Sequence, residues 1–290
     1  MIRSMLFAPG NHLRRTQKAF TLGADAVVLD LEDACPLAEK VAARQMVVDA
    51  LMQPRGCLGY VRINSLETEF AYGDIQSVVR PGVDGLMLTK VESAEQLRQV
   101  DWVIGQLERE RQMPVGGFDL VPLVETAKGF ASIFQIAAAC PRVKRLAVGS
   151  GDLTYDIGVE QTAGEEELLY YRSLAVHASR SAGIEAPIDA AWLRVEDPDG
   201  YRLAVERTRM HGFQGRLCIH PNQVELANAA MTPSEQVVDQ ARRIDDAFRQ
   251  AESQGLAAIQ VDGLLVDYPI AYRARRVLAL ATRIGTLEAQ

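Results

Sequence analysis

Short apolar runs that end in a charged or polar residue recur along the chain, separated by stretches with helical spacing. Asp25–Leu31 carries Asp30, with Glu32 and Asp33 close behind. Gly59–Ile63 holds Arg62 and leads to Asn64, and Asp84–Thr89 leads to Lys90. Leu120–Val124 ends at Glu125, and Arg145–Val148 ends at Gly149-Ser150-Gly151-Asp152. Unbroken apolar runs of this length fit parallel strands covered on both faces by helices. Polar groups collected at the C-terminal ends of such strands mark where a βα enzyme places its chemistry.

The remaining elements follow the same rhythm. A first strand over Arg3–Ala8 stops at Pro9-Gly10, and a helix is expected over Asn11–Leu22 with Asn11 as N-cap. A helix from Pro36 to Met52 follows the second strand, and a less regular piece covers Glu67–Val79. Leu97, Val100 and Ile104 give the helical period to Ser93–Arg111. Helices over Thr126–Ala139, Glu165–Ala182 and Asp199–His211 alternate with strands over Glu185–Ile188 and Arg216–Ile219. A Gly- and Asp-rich loop is expected after Val148.

About eight strand–helix units with right-handed crossovers predict a TIM (β/α)8 barrel, which takes roughly 250 residues. A doubly wound open sheet is the competing fold. It usually carries a Gly-rich phosphate loop after its first strand, whereas this chain has Pro9-Gly10-Asn11-His12. The expected division is a barrel over residues 1–232 and a helix–hairpin–helix extension over residues 233–290. The extension reads as a helix over Pro233–Ser253, a hairpin turning at Asp262-Gly263, and a helix over Ile270–Arg283. A lone hairpin is marginal, so the extension is expected to cover the active site or contact a neighbouring subunit.

Composition narrows the function. The 290 residues are 48% hydrophobic and 24% charged with a net charge of −7, which argues against a general nucleic-acid binder but not against an anionic cofactor. No apolar run approaches the roughly 20 residues of a membrane span. The opening segment is too quickly broken for a signal peptide, so a cytoplasmic protein is expected. Cys35, Cys57, Cys140 and Cys218 form no CxxC pair and read as buried reduced thiols.

Glu125 and Asp152 close the fifth and sixth expected strands, about 4.8 Å apart in a parallel sheet, so both carboxylates could meet one ion. Two oxygen ligands with open positions suit Mg2+; the alternative is that each caps the following helix. Arg62, set among apolar neighbours, needs an anion: either Glu32 or Asp33 in a salt bridge, or a substrate carboxylate or developing oxyanion. Glu32 and Asp33 could orient Arg62 and Lys90 or hold metal-bound water. His220 reads as structural, and Asp267 on local grounds is a turn residue before the last helix.

The ordered blocks Arg3–Gly10, Asp25–Ala34, Val61–Asn64, Val124–Gly129, Gly149–Thr154, Cys218–Val224 and Asp262–Pro269 resemble the CitE-like branch of the HpcH/HpaI aldolase and citrate lyase superfamily. The resemblance implies a Mg2+-dependent carbon–carbon lyase that cleaves citryl, malyl or citramalyl thioesters of CoA or an acyl carrier protein, working as a homotrimer or larger homo-oligomer. It implies Glu125 and Asp152 as metal ligands and Arg62 as the residue holding substrate oxygen. Asp267 matches the family's acid/base, which in CoA-dependent relatives often serves an adjacent subunit, and Lys18 and Arg15 match basic positions facing CoA phosphates. Asn11-His12, Leu13 and Cys35-Pro36 depart from the family pattern on the thioester side of the mouth. Competing readings are an HpaI-type aldolase acting on free 2-oxo-hydroxy acids and a non-catalytic acyl-CoA-binding or scaffold subunit. The sequence leaves glyoxylate, pyruvate and oxaloacetate open as the oxo product.

Overall fold

A computed structural model describes residues 1–288. The chain divides into two compact units, Met1–Met231 and Thr232 onward. The first is a closed TIM barrel of eight parallel strands: β1 (Ser4–Pro9), β2 (Ala26–Asp30), β3 (Leu58–Ile63), β4 (Gly85–Leu88), β5 (Asp119–Val124), β6 (Ala147–Val148), β7 (Ile188–Asp189) and β8 (Gly215–Cys218). Closure comes from β8 pairing with β1, Ser4 opposite Arg216. Around the barrel lie α1 (Leu13–Ala19), α2 (Lys40–Leu51), α3 (Ala71–Val78), α4 (Ala94–Glu110), α5 (Ala127–Ala131), α6 (Ile133–Ala137), α7 (Gly151–Ile157), α8 (Leu169–Ser181), α9 (Pro198–Met210) and α10 (Pro221–Met231).

Alternating strand side chains build two cores. Met5, Val28, Tyr60, Met87, Val121 and Leu217 fill the barrel interior. Val27, Leu29, Val61, Leu86 and Leu120 face the helices. Both faces are apolar, which is why the strands read as unbroken runs. At the lower end of the barrel, Arg145 donates to Asp119 (3.0 Å) and to Glu185 (2.9 Å), and Tyr60 Oη donates to Asp119 (3.0 Å).

Several expectations are corrected. Asn11 does not cap α1; its amide donates to Glu39 at 2.7 Å, and the N-cap position falls on His12. The irregular piece over 67–79 contains α3, whose buried Ala71, Ile75 and Val78 have a period that aromatic and polar neighbours obscure. The helix expected over 126–139 breaks at Ser132 (φ −108°, ψ 7°), a turn that keeps Phe130, Ile133 and Ile136 all buried. The loop after β6 holds α7, ended by Gly158 in a left-handed conformation; Leu153 and Ile157, four residues apart, were the signal. The seventh strand lies at Ile188–Asp189, shifted from Glu185–Ile188 because Glu185 is drawn into the Arg145 ion pair below. Cys35 and Cys218 are buried, but Cys57 and Cys140 are only half-buried.

The second unit pairs two long helices, α11 (Glu235–Ser253) and α12 (Tyr268–Glu288), with a hairpin of β9 (Ile259–Val261) and β10 (Leu264–Val266). Asp262 and Gly263 both have positive φ (50° and 80°), as a two-residue turn matched to strand twist requires. Ile244, Phe248, Val266 and Ala271 form its core, and Asp245 accepts from Arg275 at 2.6 Å. No helix among the described residues is long and apolar enough to cross a membrane.

Candidate active site

A cavity of about 440 Å³ opens at the C-terminal ends of the barrel strands, where Asp30, Arg62, Glu125 and Asp152 share its wall with Phe7, Leu123, Leu217 and Ile219. The register of the sheet brings these groups together. Asp30 at the end of β2 is the direct partner of Arg62 on β3, and Val124, which precedes Glu125, pairs with Val148 on β6.

Arg62 is held as a fixed fork. Its Nε and Nη2 donate to the two oxygens of Asp30 at 2.7 and 2.6 Å, and Nη1 lies 3.1 Å from Glu32 Oε2. The Phe7 ring sits 5.0 Å from the guanidinium carbon. Burial opposes the charge, but the Asp30 hydrogen bonds and the charges of Asp30 and Glu32 raise the guanidinium's pKa and keep it protonated. The principal partner is therefore Asp30, which sequence reasoning did not pair with Arg62. Glu32 takes a secondary part, and Asp33 is 3.9 Å away. The signal available was position: Asp30 and Arg62 each stand at or near the end of neighbouring strands.

Glu125 is 2% exposed. Thr89 Oγ1 donates to its Oε1 at 2.6 Å and the Lys90 backbone N–H does so at 2.9 Å. Lys90 reaches this position with φ 51°, and its ammonium donates to Glu32 and lies 3.8 Å from Asp152. The second oxygen, Oε2, has room because residue 149 is glycine: a Cβ there would stand 2.4 Å from it. Asp152 is not at the strand end itself but in the first turn of α7, where its half-exposed carboxylate still lines the cavity.

Burial, reinforced by the charge of Asp152, pushes the Glu125 carboxyl up to about 7 against the hydrogen bonds from Thr89 and Lys90. A buried carboxyl whose ionisation is opposed by burial and by the Asp152 charge forms a site that a divalent cation would relieve. No group of three or more His, Cys, Asp or Glu is arranged for a metal among the described residues. A cation here would complete its shell with water or substrate, the habit of Mg2+ and not of a closed structural site. The residues fit that ion.

Arg15 and Lys18 are exposed on α1 and do not line the cavity. Asp267 belongs to the second unit, half-buried ahead of α12, where Oδ1 accepts from the Ile270 N–H at 3.3 Å and its carbonyl from Ala271 at 2.9 Å. His220 is half-buried, and its Nδ1 accepts from the Asn222 N–H at 3.3 Å, a local contact.

The HpcH/HpaI aldolase/citrate lyase family model matches residues 3–221. The chain belongs to that family. It is 35% identical over 285 residues to the citrate lyase subunit beta of Leuconostoc mesenteroides subsp. cremoris, covering 96% of this chain and 93% of the relative. It is 31% identical over 291 residues to a (3S)-malyl-CoA thioesterase of Cereibacter sphaeroides, covering 99% and 97%. The structure of CitE from Mycobacterium tuberculosis in complex with magnesium, acetoacetate and coenzyme A has a TM-score of 0.78 to it, with 30% identity and coverage of 96% and 97%. The family's blocks at Val61–Asn64, Val124–Gly129 and Gly149–Thr154 are the segments that build the cavity wall.

Proposed function

We propose that this protein is a Mg2+-dependent carbon–carbon lyase that cleaves a 3-hydroxy-acyl-CoA thioester into a 2-oxo acid and acetyl-CoA. The observation carrying the reading is the convergence of Glu125 and Asp152 on one cavity wall beside the fixed guanidinium of Arg62. The malyl-CoA thioesterase relative and the coenzyme A in the M. tuberculosis CitE complex support a thioester substrate.

In this reading Glu125 and Asp152 hold Mg2+, which when bound acts as a Lewis acid toward the substrate's hydroxyl and adjacent carboxylate. Thr89 and the Lys90 N–H fix Glu125 so that its other oxygen faces the cavity. The substrate hydroxyl releases its proton to solvent at the open cavity mouth, from which Asp267 is later reprotonated; the hydroxyl oxygen becomes the carbonyl of the 2-oxo acid, and the carbon–carbon bond pair passes to the thioester as an enolate. Arg62 donates to the oxygen that carries negative charge, and its pairing with Asp30 aligns it beforehand. Asp267, protonated, gives its proton to the enolate carbon, and in condensation it would take one from the acetyl methyl. Its place, in the same or an adjacent subunit of a homotrimer or larger assembly, and the facing of Lys18 and Arg15 toward CoA phosphates are part of the same proposal. So are the domain roles, with the second unit as cover or subunit contact, and a cytoplasmic location.

The deciding experiment incubates the full chain with 3-hydroxy-acyl-CoA thioesters and traps the 2-oxo acid as a hydrazone. Product that requires Mg2+ and disappears with chelator is expected. Turnover of free hydroxy acids alone would point to the HpaI-type aldolase, and thioester binding without product to a non-catalytic subunit.

A further inference from the structure

Five charged side chains alternate in sign from β2 to α7. Asp30 accepts from Arg62 at 2.7 and 2.6 Å, and Arg62 Nη1 lies 3.1 Å from Glu32 Oε2. The Lys90 ammonium donates to the other Glu32 oxygen and lies 3.8 Å from Asp152 Oδ1. Both oxygens of the buried Glu32 are therefore taken by cations. The main chain at Lys90 is pinned on either side. Thr89 and Val91 are buried, the Lys90 N–H donates to Glu125 Oε1 at 2.9 Å, and the Val91 N–H donates to the Leu123 carbonyl at 3.2 Å. The ammonium is thus tethered close to the acids, with the side chain one-third exposed.

An ammonium has three donors and no acceptor, so Lys90 cannot ligate a metal. Its effect on a cation held by Asp152 and Glu125 is repulsion, and at separations of a few ångströms near a protein surface this exceeds thermal energy. It also cancels the attraction that Glu32 would otherwise add. The same charge attracts an anion. Resting on the proposed metal site, we infer that Lys90 sets the charge preference of the cavity: it holds down the affinity for free Mg2+ and raises the affinity for the substrate's carboxylate. At a given Mg2+ concentration the cation is then retained chiefly when that carboxylate arrives with it. Lys90 acts here through its charge, without touching the reacting atoms.

The test titrates the full chain by calorimetry, first with Mg2+ alone and then with pyruvate at saturating Mg2+, for wild type, Lys90→Met and Lys90→Arg. Lys90→Met is expected to bind Mg2+ at least about tenfold more tightly than wild type and pyruvate at least about threefold more weakly, with Lys90→Arg near wild type in both. A residue that merely tethered the loops would, when lost, weaken both ligands, so the opposite signs separate charge from anchoring. Unchanged or weaker Mg2+ binding by folded Lys90→Met overturns the inference and leaves the lyase reading intact. Where Lys90→Met does not melt cooperatively, Lys90→Gln, whose neutral amide can still donate, supplies the same comparison. No Mg2+ binding by wild type or any variant overturns the proposed metal site, and the inference with it.

Discussion

Asp30 and Arg62 stand opposite each other in the register of β2 and β3, and their side chains meet in two parallel hydrogen bonds of 2.7 and 2.6 Å. A residue that sequence alone leaves open between an internal salt bridge and a substrate clamp is thus already bound to an acid before any substrate arrives. The pairing costs the guanidinium part of its donor capacity and gives it a fixed direction. Asp30 also accepts from the backbone N–H groups of Glu32 and Ala34 at 2.9 and 3.0 Å, so the loop after β2 and the Arg62 fork form one unit.

Replacing Asp30 by asparagine removes the charge while keeping the size. Breaking a buried ion pair from one side costs about 3–5 kcal/mol, part of which Glu32 offsets here. The expected result is a lower Tm together with a fall in kcat of about 10²–10³, as for loss of an aligned oxyanion donor. Denaturation and steady-state assays check both. Unchanged kcat in a folded Asp30→Asn variant would remove the alignment role.

Gly149→Ala places a methyl 2.4 Å from Glu125 Oε2 and 2.7 Å from its Cβ, so the carboxylate has to move. Mg2+ affinity is expected to fall by about 10- to 100-fold with the fold preserved. Calorimetric titration with Mg2+, beside a circular dichroism melt, reads the two effects separately. Wild-type Mg2+ affinity in the variant would show that Glu125 Oε2 is not a ligand.

Asp267→Asn should keep the Mg2+ affinity of the wild type and lose about 10²–10⁴ in turnover, the usual span for a general acid. Asp152→Asn should lose Mg2+ binding and activity together. Full lyase turnover by the Asp267 variant excludes that residue from the chemistry.

Glu185 supplies a pH dependence remote from the cavity. Burial would raise its pKa, but the hydrogen bond and charge of Arg145 and the Gln214 amide outweigh it and hold the carboxyl down to about 2, against an ordinary 4.5. A depressed folded pKa means that the stabilisation is complete above the unfolded value of 4.5 and is lost as pH falls through about 2. Urea denaturation of wild type and Glu185→Gln should therefore differ at pH 7 and converge towards pH 2. A difference that persists unchanged at low pH would assign the effect to packing instead.

The strands were legible because their apolar runs depend only on adjacent residues: Ala26–Leu29 and Leu120–Val124 are buried on both faces wherever they sit. The positions of Glu125 and Arg62 at strand ends followed from the same runs. The hairpin was legible for a different local reason, since Asp262-Gly263 tolerates the left-handed backbone that its turn requires. Less was visible where local signals competed. The glycines around Asp152 masked a seven-residue helix that puts only Leu153 and part of Ile157 against the apolar core, and Ser132 interrupts a helix that its composition would continue.

By itself, then, the sequence determined the alternation of elements, the barrel class and the strand ends that carry acids and bases, because these depend on periodicity within a few residues. Tertiary structure decided which acid meets which base. That Arg62 pairs with Asp30 across 32 positions, that Lys90 supports Glu125 through its backbone, and that one cation faces four carboxylates in the cavity all depend on sheet register. Register is set by the packing of every strand at once, and no local stretch of chain encodes it.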